Sequence, residues 1–110
     1  MAWLEVVTVR TAGETEFLKA LEFCRQMNQS LKAENSMIIK AFRNTSYEMD
    51  LSIHIYREPG PAMPAKTPCG IRLSKLLSRF GIVDHTVWRP VGLDEASEAV
   101  SGKARQNCPL

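Results

Sequence analysis

Hydrophobic and polar residues follow two different periods along the chain, and the changes of period mark six segments. Runs rich in β-branched and aromatic residues predict strands over residues 3–10, 36–43, 49–58 and 83–91. Apolar residues three and four positions apart predict a helix that ends near residue 31 and another that ends near residue 80. The predicted order is strand, helix, strand, strand, helix, strand.

Residues at the segment boundaries predict how each helix starts and stops. Thr11 and Glu14 have the spacing of a capping box, which would begin the first helix. Thr67 followed by Pro68 is typical of an N-cap with proline in the first turn, after a proline-rich loop over residues 58–68. Gly81 predicts a left-handed residue that ends the second helix.

The strands differ in how their apolar residues are distributed between faces. The first strand is apolar on both faces, which indicates a central strand covered on both sides. The third strand alternates cleanly, with an apolar row toward the helices and a polar row, Asp50, Ser52, His54 and Tyr56, on the opposite face. Pro90 predicts that the fourth strand lies at a sheet edge.

Two right-handed β-α-β crossovers in this order give a ferredoxin-like α+β fold. The expected sheet has four antiparallel strands in the order 4-1-3-2, with both helices on one face. Residues 1–91 form one domain, and residues 92–110 form a C-terminal tail that we expect to be partly flexible. The further residues that could lie on the face without helices depend on strand register. They are Trp3, Met37, Ile38 or Ile39, Phe42, and Val87 or Trp88.

An apolar sheet face of this size is larger than the exposed patches of typical monomers. We therefore expect a second copy of the chain to cover it, related by a two-fold axis. The expected partners are the chain itself, as a homodimer through its sheet faces, and a small apolar or aromatic molecule.

Composition and charge exclude several classes of function. The chain has 110 residues, 45% of them hydrophobic, and a net charge of +2, too small to indicate nucleic-acid binding. The third strand also lacks the aromatic string of an RNA-recognition motif. No apolar run is long enough for a membrane span, and the N-terminus has no basic region before its apolar stretch. Three cysteines without paired spacing favour a cytoplasmic protein with reduced thiols and no metal site.

With the segment order, the stretches WLEVVTVRT, GIRLSKLLSRFG and IVDHTVWRP resemble the dimeric α+β barrel superfamily, which includes antibiotic-biosynthesis and haem-degrading monooxygenases. The resemblance implies two sheets packed into a barrel that often encloses a ligand cavity. Haem-degrading members use a histidine ligand on a helix with an asparagine and a tryptophan nearby. This chain has His85 and Trp88, but Thr8 and Val9 stand where the asparagine is expected. No haem, and no other cofactor, is therefore expected.

The residues expected to line a ligand site are Ser52, His54, Tyr56 and Trp88. His54 suits hydrogen bonding or proton transfer because imidazole titrates near neutral pH. The same polar row could equally form hydrogen bonds across a dimer interface. No motif identifies a reaction, so both a cofactor-independent monooxygenase and a non-catalytic binder fit. The alternative is a structural or regulatory dimerisation module, such as an ACT-like sensor that binds its ligand at the turn over residues 11–13.

Overall fold

A computed structural model of the chain describes residues 2–32, 38–58 and 64–93. The elements are β1 (Trp3–Thr11), α1 (Glu14–Lys32), β2 (Ile38–Arg43), β3 (Asp50–Arg57), α2 (Pro68–Leu77) and β4 (Gly81–Trp88). The predicted order of segments is confirmed, although β4 starts and ends earlier than predicted. The first two residues of the predicted second strand and most of the predicted tail lie outside the described residues.

The four strands form one antiparallel sheet in the order β2-β3-β1-β4. This is the predicted order 4-1-3-2 read from the other edge, so the ferredoxin-like α+β fold is confirmed. The apolar strand β1 is central, as its pattern predicted. Strand β4 is at an edge and ends before Pro90.

The core lies between one face of the sheet and the two helices. Alternate residues of β1 and β3 point into it, because side chains two apart on a strand share a face. Each fully buried aliphatic side chain contributes about 1.5–3 kcal/mol of hydrophobic stabilisation. The buried apolar residues are Val7, Val9, Phe17, Ala20, Cys24, Leu51, Ile53, Ile55, Leu73 and Leu77.

One of the two predicted helix starts is confirmed and the other is wrong. Thr67 caps α2, where its hydroxyl accepts a hydrogen bond from the Gly70 N–H at 3.1 Å. The predicted capping box at Thr11 does not form, because Thr11 is still part of β1. Its hydroxyl donates to the Met49 carbonyl at 2.7 Å and so binds the next strand, whereas α1 begins only at Glu14.

The left-handed conformation predicted for Gly81 is also wrong. None of the described glycines has a positive φ, and Gly81 is the first residue of β4, paired with Thr11. A Cβ at this position would collide with the main-chain carbonyl of Arg10. Glycine is therefore required here because β4 passes very close to β1. The reason is this lack of space and not a special backbone conformation of Gly81.

The sheet face without helices, here called the open face, is organised in rows that cross the strands. The pairing registers place Ile38, Tyr56, Leu4 and Trp88 in the first row. The second row is Lys40, His54, Val6 and Thr86, and the third is Phe42, Ser52, Thr8 and Asp84. The same registers put Trp3, Ile39 and Val87 on the helix side. Met37 lies outside the described residues.

Candidate functional site

A polar cluster occupies the middle of the open face. His54 Nε2 lies 3.0 Å from Ser52 Oγ, and Ser52 Oγ lies 3.4 Å from Thr8 Oγ1 on the neighbouring strand. The Phe42 ring packs against the imidazole with centroids 4.5 Å apart. Burial lowers the pKa of His54 below its ordinary value of 6.5, so the ring is mostly neutral at pH 7. A neutral imidazole can both accept and donate a hydrogen bond.

An apolar basin lies at the end of the open face beside this cluster. It has a volume of about 330 Å³ and is lined by Ala2, Trp3, Leu4, Tyr56, Trp88, Arg89 and Pro90. The register explains it, because Leu4 pairs with Tyr56 on one side and with Trp88 on the other. Trp88 is held by a hydrogen bond from its indole N–H to Thr86 Oγ1 at 2.8 Å, yet it stays 59% exposed.

The four predicted site residues therefore share the open face but form two neighbouring groups. Tyr56 and Trp88 line the basin, whereas Ser52 and His54 belong to the polar cluster. The Tyr56 and His54 rings connect the two groups, with centroids 6.4 Å apart. This arrangement can hold an aromatic or apolar body beside one hydrogen-bonding imidazole.

The opposite end of the open face is charged. Arg10 Nε and Nη2 donate to the two carboxylate oxygens of Asp50, each at 3.0 Å, and the guanidinium lies 5.2 Å from the Tyr47 ring centroid. Asp50 is buried by these neighbours. The open face thus changes from aromatic at one end to charged at the other.

A second group of polar residues lies on the helix side of the sheet. Glu5 is completely buried, and each of its two carboxylate oxygens accepts two hydrogen bonds. Oε1 accepts from Thr67 Oγ1 at 2.7 Å and from Arg57 Nη2 at 3.2 Å. Oε2 accepts from the Thr67 backbone N–H at 3.0 Å and from His85 Nε2 at 2.7 Å. Glu5, Arg57, Thr67 and His85 are called the Glu5 cluster below.

The Glu5 cluster keeps a carboxylate ionised inside the protein. Burial by itself works to raise the pKa of Glu5, but the hydrogen bonds from Thr67, His85 and Arg57 together hold that pKa below its ordinary value of 4.5. Gly70 is packed directly on the carboxylate, since a Cβ there would collide with Glu5 Oε2 and lie 2.9 Å from His85 Nε2.

The sequence interpretation missed the Glu5 cluster, although the pattern contained a signal for part of it. Glu5 has the same parity in β1 as the buried Val7 and Val9, which indicates an inward-facing carboxylate. Asp84, the sequence neighbour of His85, is on the open face, because adjacent residues of a strand point to opposite faces. The true partner of His85 is 80 residues away in the chain.

The turn between β1 and α1 offers few groups to a ligand. The Thr11 N–H donates to the Met49 carbonyl at 3.1 Å, and the Ala12 N–H donates to the Phe80 carbonyl at 2.9 Å. A sensor of the ACT type would need donors at this turn.

Over residues 2–32, 38–58 and 64–93, no helix has both the length and the apolar character needed to cross a bilayer. The same residues contain no group of three or more histidine, cysteine, aspartate or glutamate side chains positioned for a metal ion.

Comparison with solved structures supports the fold. A conserved protein of unknown function from Bacteroides thetaiotaomicron VPI-5482, described as a possible oxidoreductase, superposes with a TM-score of 0.60 at 17% identity over 79% of this chain and 95% of its own. Rv0793 from Mycobacterium tuberculosis superposes with a TM-score of 0.57 at 12% identity over 84% of this chain and 97% of its own. No protein-family model and no curated protein matches the sequence.

Proposed function

We propose that the chain is a homodimeric α+β barrel protein that binds a small apolar or aromatic molecule in the basin on its open sheet face. The observation that carries the proposal is the position of the basin. Its volume of about 330 Å³ lies within the usual range of small-molecule sites, and two aromatic side chains, Tyr56 and Trp88, flank its floor.

The dimer is supported by the apolar side chains that the open face exposes. Among the residues that the structure describes, ten large hydrophobic residues are exposed, and five of them lie on this face: Ile38, Phe42, Tyr56, Ile82 and Trp88. Four strands about 4.8 Å apart, with about eight residues each, make a face of roughly 19 by 26 Å. This projected area is about 500 Å², so the exposed side chains must supply the rest of the roughly 800 Å² that each partner buries in a standard interface. A second copy would also close the basin.

We include membership of the dimeric α+β barrel superfamily and an oxidative reaction of the cofactor-independent monooxygenase type in this proposal. The element order and the three quoted sequence stretches support the membership. The Bacteroides protein, a possible oxidoreductase with the same fold, supports the reaction class. An amino-acid sensor has weaker support, because the backbone N–H groups of Thr11 and Ala12 in this turn already donate to Met49 and Phe80.

Tryptophan fluorescence tests ligand binding, because Trp88 is on the open face and lines the basin. Trp3, the other tryptophan of the chain, borders the basin from the end of β1 but is on the helix side, so Trp88 should account for most of the change. We expect 1,4-naphthoquinone to quench this emission with saturation. Tyr56→Ala should weaken binding about tenfold, since an aromatic contact contributes about 0.5–1.5 kcal/mol beyond its buried area. Tyr47→Ala is the matched control, because Tyr47 is exposed and outside the basin. Equal affinities in wild type and Tyr56→Ala would overturn the site.

Sedimentation velocity tests the dimer separately. We expect a species of twice the 12.4 kDa chain mass at micromolar concentration. Val6→Lys, in the middle of the open face, should dissociate it, whereas Lys19→Glu on the exposed surface of α1 should not. A 12.4 kDa wild-type monomer would contradict the proposed dimer.

A further inference from the structure

We propose that two copies of the chain pack with their two-fold axis along the strands, so that Lys40 of each copy pairs with the partner's Asp84 and the partner completes the basin. This inference rests on the proposed homodimer and specifies its geometry. It follows from two opposite charges that the open face leaves unpaired and from the position of the basin at one end of that face.

The rows of the open face carry four residues with a full charge. Arg10 and Asp50 neutralise each other through two hydrogen bonds of 3.0 Å. The other two, Lys40 and Asp84, are exposed, and no ion pair joins either side chain to the part of the chain that the structure describes. Lys40 Nζ lies 5.9 Å from the Tyr56 ring centroid, a weak contact that leaves the side chain exposed.

The two unpaired charges are on opposite edges of the sheet. Lys40 belongs to the edge strand β2 and Asp84 to the edge strand β4. Three strand spacings, about 14 Å in total, separate these edges, so the two side chains cannot pair within one copy. One edge of the open face is therefore positive and the other is negative.

The direction of the two-fold axis decides which charges meet. In the aligned class of sheet packing, the axis runs either along the strands or across them. An axis across the strands places β2 on the partner's β2 and β4 on the partner's β4, so that like charges meet at both edges. An axis along the strands places β2 on the partner's β4. Lys40 and the partner's Asp84 are then one row apart, an offset that a lysine side chain and the usual crossing of about 30° can span.

The basin favours the same axis. An axis along the strands places the first row of one copy on the first row of the other, so the two basins join. The partner's Ile38 then lies opposite Trp88, and the partner's Leu4 lies opposite Tyr56. An axis across the strands would instead place the partner's charged end over the apolar basin. That arrangement would remove water from an ion pair without a new polar partner, which is unfavourable.

Charge reversal followed by sedimentation velocity tests the pairing. Lys40→Glu and Asp84→Lys should each weaken dimerisation by at least about tenfold, because each replaces two attractive contacts by two contacts between like charges. An equimolar mixture of the two variants should dimerise like wild type, since both contacts in the mixed dimer again join opposite charges. Regained affinity also shows that the separate variants are folded. Lys19→Glu, on the exposed surface of α1, is the matched control and should dimerise normally.

The same variants test whether the partner completes the basin. Lys40 and Asp84 do not line the basin, so their reversal should affect ligand binding only through the dimer. At a concentration where each variant is monomeric, we expect 1,4-naphthoquinone to bind at least about tenfold more weakly than to wild type. Its binding should return in the equimolar mixture.

The outcomes separate this inference from the homodimer on which it rests. A wild-type monomer would remove both the proposed dimer and the pairing. A wild-type dimer that both reversed variants retain, or a mixture that stays monomeric, would overturn the pairing of Lys40 with Asp84 and leave the dimer intact. Monomeric variants that bind the quinone like wild type would overturn the contribution of the partner to the basin.

Discussion

The Glu5 cluster makes a strong prediction for the change Glu5→Gln. Glutamine has nearly the same shape, but one of the two carboxylate oxygens becomes an NH₂ group that faces two donors. Arg57 also loses its counter-ion while its side chain stays only 17% exposed. Removing one partner of a buried ion pair costs about 3–5 kcal/mol. For a domain of this size, that lowers the Tm by roughly 15–30 °C.

Urea unfolding followed by circular dichroism measures this cost. Glu22→Gln is the matched control, because Glu22 pairs with Arg25 on the exposed surface of α1, where such pairs contribute about 0.5 kcal/mol or less. The low pKa of Glu5 also predicts how stability depends on pH. Ionisation of Glu5 stabilises the fold above pH 4.5, and this contribution disappears as the pH falls through the lowered pKa. The difference in the free energy of unfolding between wild type and Glu5→Gln should therefore become smaller at acidic pH. A difference below 1 kcal/mol at pH 7 would refute the reasoning.

Three further predictions concern single positions. Gly81→Ala should destabilise the fold by several kcal/mol in urea unfolding, because the added Cβ would collide with the Arg10 carbonyl. Gly92→Ala is the control and should be neutral, because the space around Gly92 is open. Equal effects of the two changes would refute the close approach of β4 to β1. Ser74→Ala should raise the free energy of unfolding by about 1 kcal/mol, since it removes an unpaired buried hydroxyl, and a loss of stability would show that this hydroxyl is satisfied. Burial raises the pKa of the Cys24 thiol to about 11, so iodoacetamide at pH 7.5 should label Cys24 only after denaturation, which peptide mass spectrometry would detect.

The sequence pattern predicted the fold well because the period of hydrophobic positions follows directly from strand and helix geometry. It also placed Ser52, His54 and Tyr56 on one face, which needs only alternation along β3. The pattern could not predict that Tyr56 and Trp88 line the same basin, because their proximity depends on the registers of two separate strand pairs that share Leu4. Local spacing failed for Thr11, where a hydrogen bond to Met49 replaced the expected cap.

The Glu5 cluster was not predicted either, because its residues are far apart in the sequence. Its members come from β1, β3, β4 and the start of α2, so no local motif unites them. An acidic residue at an inward-facing strand position is ambiguous in a sequence, since surface glutamates are far more common. Only the three-dimensional packing shows that four hydrogen bonds meet at this carboxylate.

The buried carboxylate also has a consequence for how the strands find their partners during folding. Because β1 has apolar residues on both faces, a slip of one residue would replace Glu5, Val7 and Val9 on the inner face by Leu4, Val6 and Thr8, at a small cost in hydrophobic burial. The same slip would move Glu5 to the other face, away from its four donors, and leave Arg57 without a counter-ion. We therefore expect Glu5 to make the native pairing of the central strand unique, and Glu5→Leu to yield a chain that collapses but samples more than one register.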